Sequence, residues 1–472
     1  MNELKSLIQT IQTTIWGVPL LVLLIGVGIF LTCLLRGMQF RYLFRAFWMK
    51  EPKGQETKAV QGDISPFQSL MTAMASAVGT GSIVGAATAI TMGGLGAIFW
   101  MWMTTLISMG IKYSEGLLAV KYRVVDERGE MAGGPMHYIE RGLGWKWMAS
   151  LFAVFASIAA IGTGNLVQVN SIAGALGNVF DVDPLVTGII IAVLTSFVLL
   201  RGIKSIGFVS SILVPVMAGF YILAGIAVLF VFRAKLPEAV SLIFSSAFTG
   251  QAACGGFLGS TVMMAMQMGV SRSLFTSEAG LGISSIAAAA ARTQSSGKQA
   301  LLSMAATLFS TAIICSITAL TIAVTGVMGS VDATGQMING APLAISAFST
   351  AFAGGEYVVT LGLILFSYTT LIAWAYYGEK CFEYLFGAKS VTIYRIVYIA
   401  LIIPGSIFAL EIVWSFADIM NALMVIPNMV ALLGLSGVIQ KETKEFLKGF
   451  ERNDTHSAKN EPPLEIFAVG ES

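Results

Sequence analysis

The chain has 472 residues, 56% hydrophobic and 11% charged, where soluble domains carry roughly a quarter charged residues. Many stretches exceed about 18 apolar residues, which excludes a water-soluble globular fold and predicts a polytopic α-helical membrane protein. The formal net charge of +2 points to no partner, and nucleic acid is not expected as one.

Eleven spans are predicted, at roughly 15–35, 66–92, 95–120, 146–177, 184–200, 206–232, 240–269, 299–327, 356–380, 393–409 and 413–439. The first is long and no small-residue cleavage site clearly follows it, so no cleavable signal peptide is expected. Alternate connections divide the 28 Lys and Arg 25 to 3, the smaller set being Lys5, Arg233 and Lys235. The positive-inside rule then puts the N-terminus outside and the C-terminus in the cytoplasm, across a plasma membrane. Residues 124–144 and 271–298 are the substantial cytoplasmic loops. The second is alanine-rich after Gly282, which suits a short interfacial helix. The transmembrane domain covers 1–440, and 441–472 reads as a solvated polar tail. Trp100, Trp102, Trp145 and Trp147 fall near span ends, as interfacial anchors do. Cys33, Cys254, Cys315 and Cys381 show no metal spacing and read as free thiols. His137 and His456 lie outside the spans, which argues against a histidine metal site.

The second span carries the first functional signal. Gly79-Thr80-Gly81 stands at its centre with Ser76 and Ser82 alongside. Glycine inside a helix costs about 1 kcal/mol relative to alanine, so two of them among hydroxyls point to an interrupted helix. In lipid the freed backbone groups need other partners, such as a polar cavity, an ion or a ligand. Residues 76–82 therefore read as part of a mid-membrane binding site; the competing reading is close helix packing through small residues. Residues 249–260, TGQAACGGFLGS, form a second glycine cluster in the seventh span. With span 15–35 set aside, the other ten divide into two sets of five (about 66–232 and 240–439). Each glycine-interrupted span opens its set. Odd-numbered sets insert in opposite orientations, so the pattern predicts an inverted repeat with two discontinuous helices, the organisation of many secondary transporters.

The chemistry of the ends follows. A half-helix starting near Gly81 and Ser82 presents amide N–H groups and a partial positive charge to a carboxylate. A half-helix ending near Ala77 and Val78 presents carbonyls to Na⁺ or to an ammonium group. The middles of both interrupted spans lack Asp, Glu, Lys and Arg, which fits a zwitterionic amino acid. The nearest acids are Glu115, Glu379, Glu411 and Asp418; only Asp418 is away from a span end, and it suits either coupling or a helix–helix contact. Gly164 and Gln168 share a helical face, and the Gln168 amide suits a carboxylate or simple interhelical bonding. Phe366, Thr369 and Thr370 stand at i, i+3 and i+4. They bring a carbonyl and two hydroxyls together, as a hard monovalent cation requires, although threonines also back-bond within ordinary spans. Trp374, four residues beyond Thr370, would limit pocket volume, as would Phe248, if either does more than pack.

The stretches GTGSIVGAATAI (79–90), GAIFWMW (96–102), KYSEGLLAVKYR (112–123), GGPMHYIERGLG (133–144), EAGLG (278–282), YYGEKCFEYLFG (376–387) and DIMNALMVIPN (418–428) are spread along most of the chain's length. Through them it resembles the alanine/glycine:cation (sodium:alanine) symporters of the amino acid–polyamine–organocation superfamily. The resemblance implies a LeuT-like fold with one extra N-terminal helix. It also implies Na⁺-coupled, or in some members H⁺-coupled, uptake of alanine, glycine or a similarly small amino acid. It assigns Ala77, Thr80 and Gly81 to the carboxylate, and Gly164, Gln168, Thr370 and Trp374 to the pocket. Phe248 and Gly250 complete the substrate candidates, and Ala75, Val78, Phe366, Thr369 and Thr370 form the expected sodium set. Ser82 stands where the family usually has Asn, and Leu95 where it has Pro. Ser273 and Ser277 also depart from the usual ARGLFSNEAGLG. Apart from Na⁺ as coupling ion no cofactor is expected, and a monomer is expected to function. A channel lacks a ring of charges or a filter loop here. An enzyme lacks any phosphate loop, HExxH or GxSxG motif.

Overall fold

Helix starts follow local chemistry. Ser65 accepts from the Gln68 amide while the Gln68 side chain accepts from the Ser65 amide, with Pro66 in the first turn. Asp183 caps the helix that opens on Pro184, and Thr261 accepts from the Met264 amide. The computed structural model describes residues 15–43, 61–249, 260–331, 335, 337–408 and 410–459. Its longer helices are α1 (Val18–Leu34), α2 (Pro66–Ala77), α3 (Gly81–Gly93), α4 (Gly96–Lys121), α5 (Lys146–Phe180), α6 (Pro184–Leu199), α7 (Ile203–Val231) and α8 (Leu236–Thr249). They continue with α9 (Val262–Ser277), α10 (Ser296–Thr325), α11 (Ala341–Ala351), α12 (Gly355–Phe386), α13 (Ser390–Gly405), α14 (Leu410–Gly434) and α15 (Ser436–Lys459). The strands β1 (Val124–Val125) and β2 (Met131–Ala132) pair as an antiparallel hairpin.

The distribution of polarity is that of a membrane protein. Leu223, Phe197 and Phe230 are 70%, 68% and 67% exposed, an outward apolar surface that water would not tolerate. The interior meanwhile holds Thr72, Thr80, Ser82, Asn165 and Thr369, each fully buried. Among the described residues, five helices are long and apolar enough to cross a bilayer, and α2 with α3 adds a sixth as one bent pair. Helices α1, α6, α11 and α13 are apolar and shorter. The chain is a multi-pass membrane protein.

α4 runs through the middle against α9 and α10, while α12 packs on α5, α7 and α2. α1 lies against α4 and α14. Two expectations about connections change. Residues 271–277 belong to α9, so Arg272 sits in a helix, and the short helix Ser285–Ala289 is wholly buried rather than interfacial. Small side chains allow this: Ser69 Oγ donates to the Ala287 carbonyl, and Ile64 bridges Ala291 in parallel. Lys112, inside the predicted span 95–120, lies in α4 at 2% exposure. The segment expected as a solvated tail begins as the helical α15, where Thr443 Oγ1 is 3.2 Å from the Tyr113 hydroxyl.

The hairpin β1–β2 is held to the helix ends by charge. Lys380 Nζ lies 2.6 Å from Asp126, 3.0 Å from Glu130 and 3.1 Å from Glu383. Arg128 meets Glu130, Glu379 and Glu383, and Arg395 meets Glu379 at 2.6 Å. On the other side Arg123 donates to the carbonyls of Ala289, Ala291 and Thr293, and Asp63 accepts from the Met131 amide. One short hairpin thus joins α12 and α13 to the segments around Asp63 and Ala291.

Candidate functional site

α2 ends at Ala77 and α3 starts at Gly81, with a bend of 49° between them. Val78 leaves the helix at φ −92°, ψ 76°. Gly79 has no alternative in space, because a Cβ there would overlap Thr370 Oγ1. The chain resumes as a π turn over Gly81–Gly85. Two facing helices carry π segments too, Ala160–Leu166 in α5 and Leu308–Cys315 in α10. Such turns free backbone groups and gather at functional sites.

A small hollow, about 10 Å³ open to water centres, lies at this break, roughly the room one water needs. Of the predicted residues, Ala77, Gly81, Gln168, Thr370 and Trp374 line it. Gln168 Nε2 donates to the Thr163 carbonyl at 3.0 Å, and its Oε1 is 3.5 Å from the Thr80 amide. That second contact is at the limit of a hydrogen bond, so the amide remains an available donor. The Thr80 and Ser82 hydroxyls have no hydrogen-bond partner among the described residues. Gly164 is required by Trp374, whose Cβ would collide with any side chain there.

The oxygen cluster lies beside the hollow. Thr370 Oγ1 is 2.8 Å from the Ala75 carbonyl and 2.9 Å from the Phe366 carbonyl, and Thr369 Oγ1 is 3.0 Å from the latter. Two carbonyls and two hydroxyls, without a charged group, converge between α2 and α12. Val78, fully buried, ends the same half-helix. This donor chemistry fits a monovalent cation held at a half-helix C-terminus.

Phe248 is not brought here. It is 61% exposed on the outside, against Phe99 at 5.0 Å and Trp100 at 6.0 Å between ring centres. Its helix turns that face to lipid. Gly250 and the rest of the second glycine cluster lie outside the described residues. A separate cavity of about 440 Å³, lined by Arg272, Asn170, Asn339 and Asp418, sits beyond a stacked pair, Phe275 and Trp414 (5.3 Å). Phe275 touches the hollow and Trp414 the cavity.

The sodium:alanine symporter family model matches residues 1–460. The chain belongs to the sodium:alanine symporter family. The symporter is 46% identical over 448 residues to the sodium/alanine symporter AgcS of Methanococcus maripaludis, covering 94% of this chain and 97% of that one. It is 34% identical to the amino-acid carrier protein AlsT of Bacillus subtilis, covering 98% and 96%. The crystal structure of MhsT in complex with L-phenylalanine aligns at TM-score 0.53 and 14% identity, over 82% of this symporter and 99% of that chain. That likeness gives the fold, a LeuT-type bundle. The symporter is a transporter, not an enzyme.

Three lining residues, Thr163, Phe275 and Glu278, were not among the expected site residues. Glu278, at 1% exposure, faces the hollow and accepts from the Ser76 hydroxyl at 2.8 Å. It stands in EAGLG, and its acidity next to two glycines was the available signal. Of the acids named from the sequence, Glu379 meets Arg128 and Arg395, and Glu115 Oε1 accepts from two amides and Asn428.

Proposed function

We propose that the symporter imports a small neutral amino acid, alanine, glycine or a similar one, coupled to Na⁺ by alternating access. The observation that carries this is the break at Val78–Thr80, where the amide end of α3 and the carbonyl end of α2 meet at a small hollow lined by Trp374 and Phe275. The amides around Thr80 and Gly81 take the carboxylate, assisted by Gln168. The Ala75, Val78, Phe366, Thr369 and Thr370 oxygens take Na⁺, tying α2 to α12. Trp374, fixed against Gly164, keeps the substrate small. On this reading the chain crosses the membrane eleven times as a five-plus-five inverted repeat with α1 added, and α8 and α9 form the second discontinuous helix. The N-terminus is outside and the C-terminus cytoplasmic.

Radiolabelled alanine uptake into proteoliposomes under an imposed Na⁺ or H⁺ gradient tests the reading. Accumulation is expected with inward Na⁺. Accumulation with H⁺ alone, or only against internal amino acid, would favour proton-coupled or exchange transport. Gln168→Ala is expected to lower uptake by about 30-fold or more while inserting normally, since a buried polar contact is worth about 2 kcal/mol when its loss strands a partner. Uptake within about twofold of wild type would remove Gln168 from the pocket.

A further inference from the structure

Lys112, Glu115 and Glu278 form a buried cluster of ionisable side chains beside the hollow, at 2%, 0% and 1% exposure. Lys112 Nζ donates to the Ser277 carbonyl at 3.0 Å, and its charge reaches both carboxylates. Two acids therefore share one base. Glu115 has further support at one oxygen: its Oε1 accepts from the Gly280 and Gly282 amides and from Asn428 Nδ2 at 2.9, 3.1 and 2.8 Å, while its Oε2 has no hydrogen-bond partner. Glu278 has less. Its Oε2 accepts from Ser76, the Trp374 indole lies alongside, and its Oε1 has no hydrogen-bond partner.

The position is held at a conformational cost. Glu278 has φ +53°, in the left-handed region, which a side chain with a Cβ seldom adopts. It caps α9 there and turns back toward α2. A buried carboxylate oxygen without a donor is unfavourable unless a cation arrives. Glu115 and Glu278 each keep one buried oxygen without a partner, and of the two only Glu278 lines the hollow.

We propose that Glu278 binds the ammonium group of the transported amino acid, opposite the amide end of α3 that takes its carboxylate. This rests on the symport reading above and narrows it. The hollow selects for a free amino group, and carboxylic acids of equal size lacking one are rejected. The charge of the zwitterion is answered at both ends, by a helix terminus on one side and a full carboxylate on the other.

The test uses the full chain in nanodiscs with Na⁺, measuring radiolabelled alanine binding and competition by propionate and N-acetylalanine. Wild type is expected to bind alanine, with propionate and N-acetylalanine failing to compete at about 100-fold excess. Glu278→Gln is expected to weaken alanine binding about 100-fold or more, while the melting shift on adding Na⁺ persists. Ser76→Ala keeps the carboxylate but removes its donor, and is expected to weaken binding about 3- to 10-fold; it serves if Glu278→Gln does not fold. Alanine binding to Glu278→Gln within about threefold of wild type would overturn the assignment, as would effective competition by propionate. So would a Glu278→Gln transporter that still accumulates alanine but no longer responds to a pH gradient, which would make Glu278 a proton carrier. If wild type binds no amino acid at all, the symport reading fails, and not merely this refinement.

Discussion

Gly79→Ala is expected to cut Na⁺-driven alanine uptake by about 100-fold. The new Cβ would overlap Thr370 Oγ1, and that hydroxyl already joins the Ala75 and Phe366 carbonyls. Overpacking at such a point costs about 1–3 kcal/mol in strain. Here the strain falls on the atom shared by the substrate hollow and the oxygen cluster, so both affinities should drop together. Two companions calibrate the result. Gly81→Ala meets the Phe275 ring at 2.9 Å, an edge that can shift, so a smaller loss is expected. Gly26→Ala in α1 meets nothing within 4 Å and should transport normally. Measured Na⁺ dependence of uptake in the three variants checks the order; wild-type behaviour in Gly79→Ala would mean that Thr370 does not serve both sites.

Lys380→Met is expected to destabilise the protein by about 3–5 kcal/mol, the range for stripping one partner from a buried ion cluster. Its side chain is 0% exposed and faces Asp126, Glu130 and Glu383. Without it those acids repel one another around an apolar side chain. For a chain of this size the loss corresponds to a melting temperature lower by about 3–5 °C. Adding Asp126→Asn should recover part of the loss, because the two changes touch one network. The same cluster fixes a sign for pH. Burial raises the Asp126 pKa, but the Lys380 hydrogen bond and charge outweigh it and hold the carboxyl below its ordinary value. That contribution is therefore present at neutral pH and lost on acidification below the usual carboxylate range. Melting curves taken against pH, in wild type and Asp126→Asn, read it directly.

Much of this architecture is legible in the residues themselves. Apolar length marks the helices, and Gly79-Thr80-Gly81 marks the bend because two glycines and a hydroxyl cannot sustain a mid-membrane helix cheaply. The spacing of Gly164 and Gln168, and of Phe366, Thr369 and Thr370, places each group on one face. What spacing cannot give is rotation about a helix axis. Phe248 sits near a glycine cluster, yet its helix presents it to lipid, and only packing against Phe99 and Trp100 decides that. Charges misled in the opposite direction. Arg272 and Glu278 fall in the expected loop 271–298 because lipid rejects charge, whereas the structure places Arg272 within α9 and buries Glu278 at its end, next to the buried helix Ser285–Ala289. The contact between Thr370 and Ala75, 295 positions apart, has no local signature at all.

The two closures of the hollow are built from different materials, and this sets their tempo. Toward the large cavity the barrier is a pair of rings, Phe275 on Trp414, which side-chain rotation alone can part, a faster class of motion than a collective one. Toward the hairpin, main-chain bonds hold shut: the Arg292 amide to Ile64, the Asp63 amide to Ala290, and the Arg123 fork behind them. Releasing those demands a collective movement on the microsecond-to-millisecond scale. With the orientation proposed above, loading is expected to be quick and discharge slow, with the peptide latch rather than the aromatic door setting the rate of the cycle.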